Sequence, residues 1–148
     1  MIRLKKAAAA ALATGTLVTV GLGVSAGSAQ ASEVEPLHVV TCSWIKSPPP
    51  WAPDATSVRG FAEVRCSSAR DKSRTHATIQ IFRDGGWHDQ GPTSTSYNKG
   101  TTVHVNANAT KRIGDWLYRV KGDYAGQHGN WFQLPTYYSQ PRNLWRRG

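Results

Sequence analysis

The chain has 148 residues, 39% of them hydrophobic, with 18 Lys and Arg against nine Asp and Glu and a formal net charge of +9. That length suits one modest domain and excludes a large multidomain enzyme. The charge draws the protein towards anionic surfaces, and nucleic acid, teichoic-type polymers and acidic lipids satisfy it equally.

Residues 1–31 read as an export signal: Arg3, Lys5 and Lys6 form a basic head, Ala7 to Val24 an apolar middle, and Ala29-Gln30-Ala31 a small-x-small cleavage pattern. The cut is expected after Ala31. Three of the basic residues and none of the acids lie in this segment, which leaves 117 residues with a net charge of +6 (15 − 9). No later apolar run is long enough to span a bilayer, so no membrane anchor is expected. Both cysteines, Cys42 and Cys66, fall in the exported part and allow only one pairing, so a disulfide is the default.

The exported part reads as strands separated by turns. Leu37 to Ile45 is a first strand with apolar residues on both parities, so its register stays open. Ser47 to Pro53 holds four prolines, cannot join a ladder and is expected to run extended as a stiff connection. In Val58 to Cys66 the small and apolar residues share one parity and Arg59, Glu63 and Arg65 the other, the pattern of a half-buried strand. The loop Ser67 to Arg74 carries Arg70, Lys72 and Arg74 and reads as solvated.

Thr75 to Phe82 alternates again, with Ala77, Ile79 and Ile81 on one face. Arg83-Asp84-Gly85-Gly86 follows with the composition of a tight hairpin. Trp87 to Gln90 begins the return strand, Gly91-Pro92 interrupts it, and Thr93 to Tyr97 continues at an edge. Thr101 to Ala109 alternates most cleanly. In Asp115 to Tyr124, Trp116, Tyr118, Val120 and Tyr124 share a face. Ala125 to Asn130 reads as a hairpin turn, Trp131 to Tyr138 as a last strand kinked at Pro135, and residues 141–148 as a basic tail. The expected fold is all-β: an antiparallel sandwich of about seven short strands over residues 32–140, Ig-like only in the loose sense.

The Ala-rich export signal, the Cys42 and Cys66 pair, the Arg83-Asp84-Gly85-Gly86 hairpin and Tyr118-Arg119-Val120 resemble small secreted proteins of actinobacteria. The resemblance implies an extracellular compartment and a β fold, and carries no activity.

Known catalytic and phosphate-binding motifs are missing, the five histidines lack metal spacing, and no cofactor or metal is expected. His88 and Asp89 are adjacent on a strand and point to opposite faces, so they do not form a dyad. A small nuclease or glycan hydrolase would need a base beside Arg, which Glu63 with Arg65, His76 and His104 could supply. The positive signal is aromatic: of six tryptophans, Trp51 in the Pro-rich loop, Trp87 beside a turn and Trp145 in the tail are candidates for exposure. Exposed Trp beside cations suits sugar rings or unstacked bases. The expected function is non-catalytic binding to an anionic cell-envelope polymer or glycan through Trp51, Trp87, Arg70, Lys72 and Arg74. The alternatives are a small secreted hydrolase and a secreted toxin or inhibitor acting on a protein, with nucleic acid a lesser partner.

Overall fold

The computed structural model describes residues 39–148; the export signal expected at residues 1–31 lies outside them. Ten strands and no helix form among the described residues: β1 (Cys42–Ile45), β2 (Ser57–Cys66), β3 (Lys72–Arg83), β4 (Gly86–Asp89), β5 (Ser94–Ser96), β6 (Thr102–Thr110), β7 (Gly114–His128), β8 (Asn130–Gln133), β9 (Tyr137–Tyr138) and β10 (Arg142–Arg146). They make two antiparallel sheets. The small sheet has the order β1-β2-β6, and the large one β10-β7-β3-β4, with β5 added to β3 and β8 and β9 added to β7. The expected all-β sandwich is what forms.

Parity decides the core. Val58, Ala62 and Val64 from β2, Val103, Val105 and Ala107 from β6, Ala77, Ile79 and Ile81 from β3, and Tyr118 and Val120 from β7 are all buried between the sheets. Removing each valine or isoleucine side chain from water contributes about 1.5–3 kcal/mol, and each alanine methyl about 0.8 kcal/mol. Two glycines set how closely the sheets approach. A Cβ on Gly60 would lie 2.4 Å from Val120 Cγ2, and one on Gly122 would lie 3.0 Å from both the Ala62 Cβ and the Trp44 ring. A side chain at Gly60 therefore pushes directly on the facing sheet.

The open register of the first strand is resolved by its pairing, Cys42 opposite Cys66 and Trp44 opposite Val64. The two cysteines are disulfide-bonded with Cα atoms 4.0 Å apart. Their sulfurs sit against the Tyr124 hydroxyl, each 3.6 Å away, at the end of the sandwich where Val64, Phe132 and Leu134 also pack. The hairpin between β3 and β4 is as expected: Asp84 (φ 49°) and Gly85 (φ 78°) are both left-handed, the geometry of a two-residue turn matched to strand twist.

The structure differs from the sequence reading at several places: Lys72 to Arg74, expected in a solvated loop, open β3 with Ser73 buried, and Trp51 of the Pro-rich connection bridges Arg59. Residues 125–130 are not a turn, because β7 runs on to His128 and Ala125, Gly126 and Gln127 pair with β8. The expected last strand is two, β8 and β9, since Pro135 has no amide to donate. The basic tail is a strand: β10 pairs along Gly114 to Tyr118, tucks Leu144 against the core, and Arg146 Nη1 donates to the Lys111 carbonyl at 2.7 Å.

Replacing both cysteines, Cys42→Ser with Cys66→Ser, is expected to lower unfolding free energy by about 3 kcal/mol through the entropy of a 24-residue separation regained by the unfolded chain. Gly60→Val is expected to cost about 2 kcal/mol by overpacking against Val120. Urea denaturation of each variant beside the oxidised parent measures both, and an unchanged midpoint for Gly60→Val would mean the sheets are not in close contact there.

Candidate functional site

The outward parity of β3 and β7 makes one continuous face on the large sheet. Register places Lys72 opposite Gln127, Arg74 opposite Ala125, His76 opposite Asp123, Thr78 opposite Lys121 and Gln80 opposite Arg119. Trp131 on β8 lies opposite Gln127, and Trp87 on β4 lies opposite Phe82. The face thus has Trp131 and Lys72 at one end and Trp87 and Phe82 at the other.

At the first end Lys72, Ser73, Arg74, Tyr97, Lys99 and Trp131 line an open groove of about 370 Å³. Tyr97 and Trp131 keep 69% and 59% of their surface exposed, so both rings are available to a ligand. The loop carrying Tyr97 and Lys99 is stitched to the start of β3: the Ser73 hydroxyl donates to the Asn98 carbonyl, and the Arg70 amide donates to the Lys99 carbonyl at 3.1 Å. Among the described residues, none of Lys72, Arg74 and Lys99 forms an ion pair. Their charge is uncompensated beside two free rings. Arg74 also lines a second recess of about 130 Å³ with His76, Asp123, Gln133 and Thr136. Its carboxylate is occupied, as Asp123 accepts from the Thr136 hydroxyl at 2.7 Å and pairs with Lys121 at 3.8 Å.

The structure separates the other expected site residues. Arg70 is buried with 3% exposure, so it is not part of an anion patch. Its guanidinium lies 5.8 Å from the centre of the Tyr124 ring and Nη1 donates to the Ser68 carbonyl at 3.4 Å. The guanidinium itself covers the Tyr124 ring at the sandwich end, a use of arginine that composition does not reveal. Burial pushes the Tyr124 phenol up, with the charge of Arg70 opposing.

Trp87 stands on the same face as the groove but is already engaged. Arg119 lies 4.2 Å from the Trp87 ring centre and 3.9 Å from that of Tyr138, so the guanidinium is held between two rings. Its Nε donates to Gln80 Oε1 at 2.9 Å, and Gln80 Nε2 donates to Asp89 at 2.7 Å. Burial lowers the Arg119 value from its ordinary one. Trp51 is on the opposite side of the molecule: it bridges Arg59 of β2, on the outer face of the small sheet. Trp51 and Trp87 therefore cannot line one site. Trp145 is exposed, as expected.

The hydrolase constellation is divided as well. His104 Nδ1 lies 3.3 Å from Glu63 Oε2 on the small sheet, with Arg65 on the same parity, while His76 is on the large sheet and bonds Thr95 at 2.8 Å. Sequence reasoning missed Tyr97, Lys99 and Trp131. Trp131 was hidden inside an expected strand, and only the pairing of β8 with β7 reveals that it points outward.

Comparison with protein-family models and with the curated proteins finds no match.

Arg119→Ala is expected to lower stability by about 1–2 kcal/mol, from two lost ring contacts and a Gln80 Oε1 left without its donor. Arg119→Lys is expected to recover less than half of that loss, because an ammonium cannot stack as a planar fork does. Urea titrations of the two variants check this ordering, and equal stability of both with the parent would contradict it.

Proposed function

We propose that this chain is an exported, non-catalytic domain that binds an anionic envelope polymer or glycan through the outer face of its large sheet. The observation that carries the reading is the groove in which Lys72, Arg74 and Lys99 lack acidic partners while Tyr97 and Trp131 stand free beside them. Cations without partners attract a chain of negative groups, and exposed rings accept the apolar faces of sugar rings. The Cys42–Cys66 disulfide is compatible with an extracellular location, and the basic, apolar and small-residue order of residues 1–31 supports export.

The face is suited to an extended ligand. Groove and recess adjoin at Arg74, so a polymer leaving the cationic groove passes next over the polar side chains of His76, Gln133 and Thr136. Binding is expected to weaken with salt, since each cation engaged displaces counterions from the polymer.

Immobilised heparin serves as the probe polyanion. The parent protein is expected to be retained at low salt, and Lys72→Ala with Arg74→Ala and Lys99→Ala to elute much earlier, with the slope of log affinity against log salt falling by about 1 for each cation removed. Trp131→Ala is expected to weaken binding about tenfold with little change in that slope. Elution of the triple variant with the parent would place the site elsewhere; no retention of the parent at low salt would end the reading.

A further inference from the structure

The outer face of the small sheet carries a second arrangement that the polyanion groove does not use. Trp51 pairs with Arg59 as an isolated bridge, its amide donating to the Arg59 carbonyl at 2.8 Å and its carbonyl accepting from the Arg59 amide at 2.8 Å. On the other side of β2, Arg59 stands opposite Asn108 of β6. Residues directly opposite in such ladders present their side chains on the same side. Trp51, Arg59 and Asn108 thus form one row across three neighbouring segments, with Phe61 and Asn106 in the next row.

The row is held in place. Phe61 meets the Trp51 ring at 6.4 Å and 70° and itself packs on the His104 ring at 4.3 Å. The loop between Trp51 and β2 is fixed by Asp54, whose Oδ1 accepts from the Thr56 amide at 2.7 Å, the Ser57 amide at 2.8 Å and the Thr56 hydroxyl at 2.9 Å. Asp54 also accepts from the Ser57 hydroxyl, and these bonds, that hydroxyl first, hold its carboxyl well below the usual carboxylate range. Trp51, Arg59, Asn106 and Asn108 line a shallow cavity of about 240 Å³. No acid lines it, and Glu63, the nearest carboxylate on that strand, is engaged with His104.

We infer that this cavity is a sugar subsite, separate from the polyanion groove, that takes one pyranose ring bearing a carboxylate. The half-buried Trp51 offers an apolar surface to the C–H face of the ring. The Asn108 amide presents a donor and an acceptor and the Asn106 amide adds a donor, its Oδ1 being held by His104 Nε2 at 3.2 Å, and such groups match neighbouring hydroxyls. Arg59 presents a planar fork with no carboxylate partner among the described residues, which selects an acidic sugar over its neutral counterpart. A nucleotide is the competing ligand for Trp51 and the Asn108 amide; the open Arg59 fork beside the ring is what favours a carboxylate-bearing sugar.

The test is a two-dimensional NMR titration of the whole exported chain with glucuronate, with glucose and with adenosine monophosphate as separate probes. Glucuronate is expected to move the Trp51 indole resonance and to bind about tenfold more tightly than glucose, the effect of one charge-assisted pair. Arg59→Gln is expected to abolish that preference, and Asn108→Ala to weaken both sugars; both positions are exposed, so the fold is retained. The Lys72, Arg74 and Lys99 triple variant is expected to bind glucuronate as the parent does, which keeps this result independent of the polyanion reading. Shifts confined to Trp131, equal response to glucose and glucuronate, or tighter binding of the nucleotide would each overturn the inference.

Discussion

The pairing of β3 with β7 governs the molecule. Ten residues of each strand are in register, from Lys72 with Gln127 to Ile81 with Tyr118, and this ladder is the spine to which β4, β5, β8, β9 and β10 attach. Because side chains alternate along a strand, one register assigns every residue of both strands at once. Ala77, Ile79, Ile81, Tyr118 and Val120 go to the core, and Lys72, Arg74, His76, Arg119 and Lys121 to the opposite face. A slip of β3 by one position would bury Lys72, Arg74 and His76 and expose Ala77, Ile79 and Ile81, so core packing and the surface charge pattern are specified by the same bonds.

Within that frame the cations and rings divide into two groups. Arg70 and Arg119 are consumed by the fold, one over Tyr124 and the other between Trp87 and Tyr138. Trp44 is likewise internal, stacked on Tyr137 at 5.4 Å with its indole N–H donating to the Pro135 carbonyl. Lys72, Arg74, Lys99, Tyr97 and Trp131 have no such duties. Composition alone cannot distinguish the groups, since a basic, Trp-rich chain needs some of these residues to seal a thin sandwich.

The alternating segments were legible because each had one apolar parity: the buried positions of β2 and β6 match the pattern in Val58 to Cys66 and Thr101 to Ala109. The Asp84-Gly85 turn was legible because its residues permit left-handed backbone. What misled the reading was local chemistry whose meaning depends on distant partners. Gly126 and Gly129 suggested an early turn, yet a Cβ at Gly126 would collide with Tyr124 and Phe132, so that glycine marks close packing inside β7. The arginines of residues 142–146 masked the single inward Leu144 of β10. Trp51 in the Pro-rich loop and Trp87 beside a turn are both candidates for exposure and so read as one site, but Trp51 bridges β2 and Trp87 lies on β4, which belong to different sheets, and nothing in a strand's own alternation says which sheet it joins.

The central claim is that the outward side of the β3–β7 ladder is the binding surface. Mapping backbone and indole chemical shifts during titration with a dextran sulfate oligosaccharide, which carries charge but no carboxylate, tests it most directly. The account predicts the largest changes at Lys72, Arg74, Lys99 and the Trp131 indole, with the inward Thr75 and Ile79 nearly still. Changes centred on Phe61, Glu63 and His104 of the small sheet, with Trp131 unmoved, would contradict it.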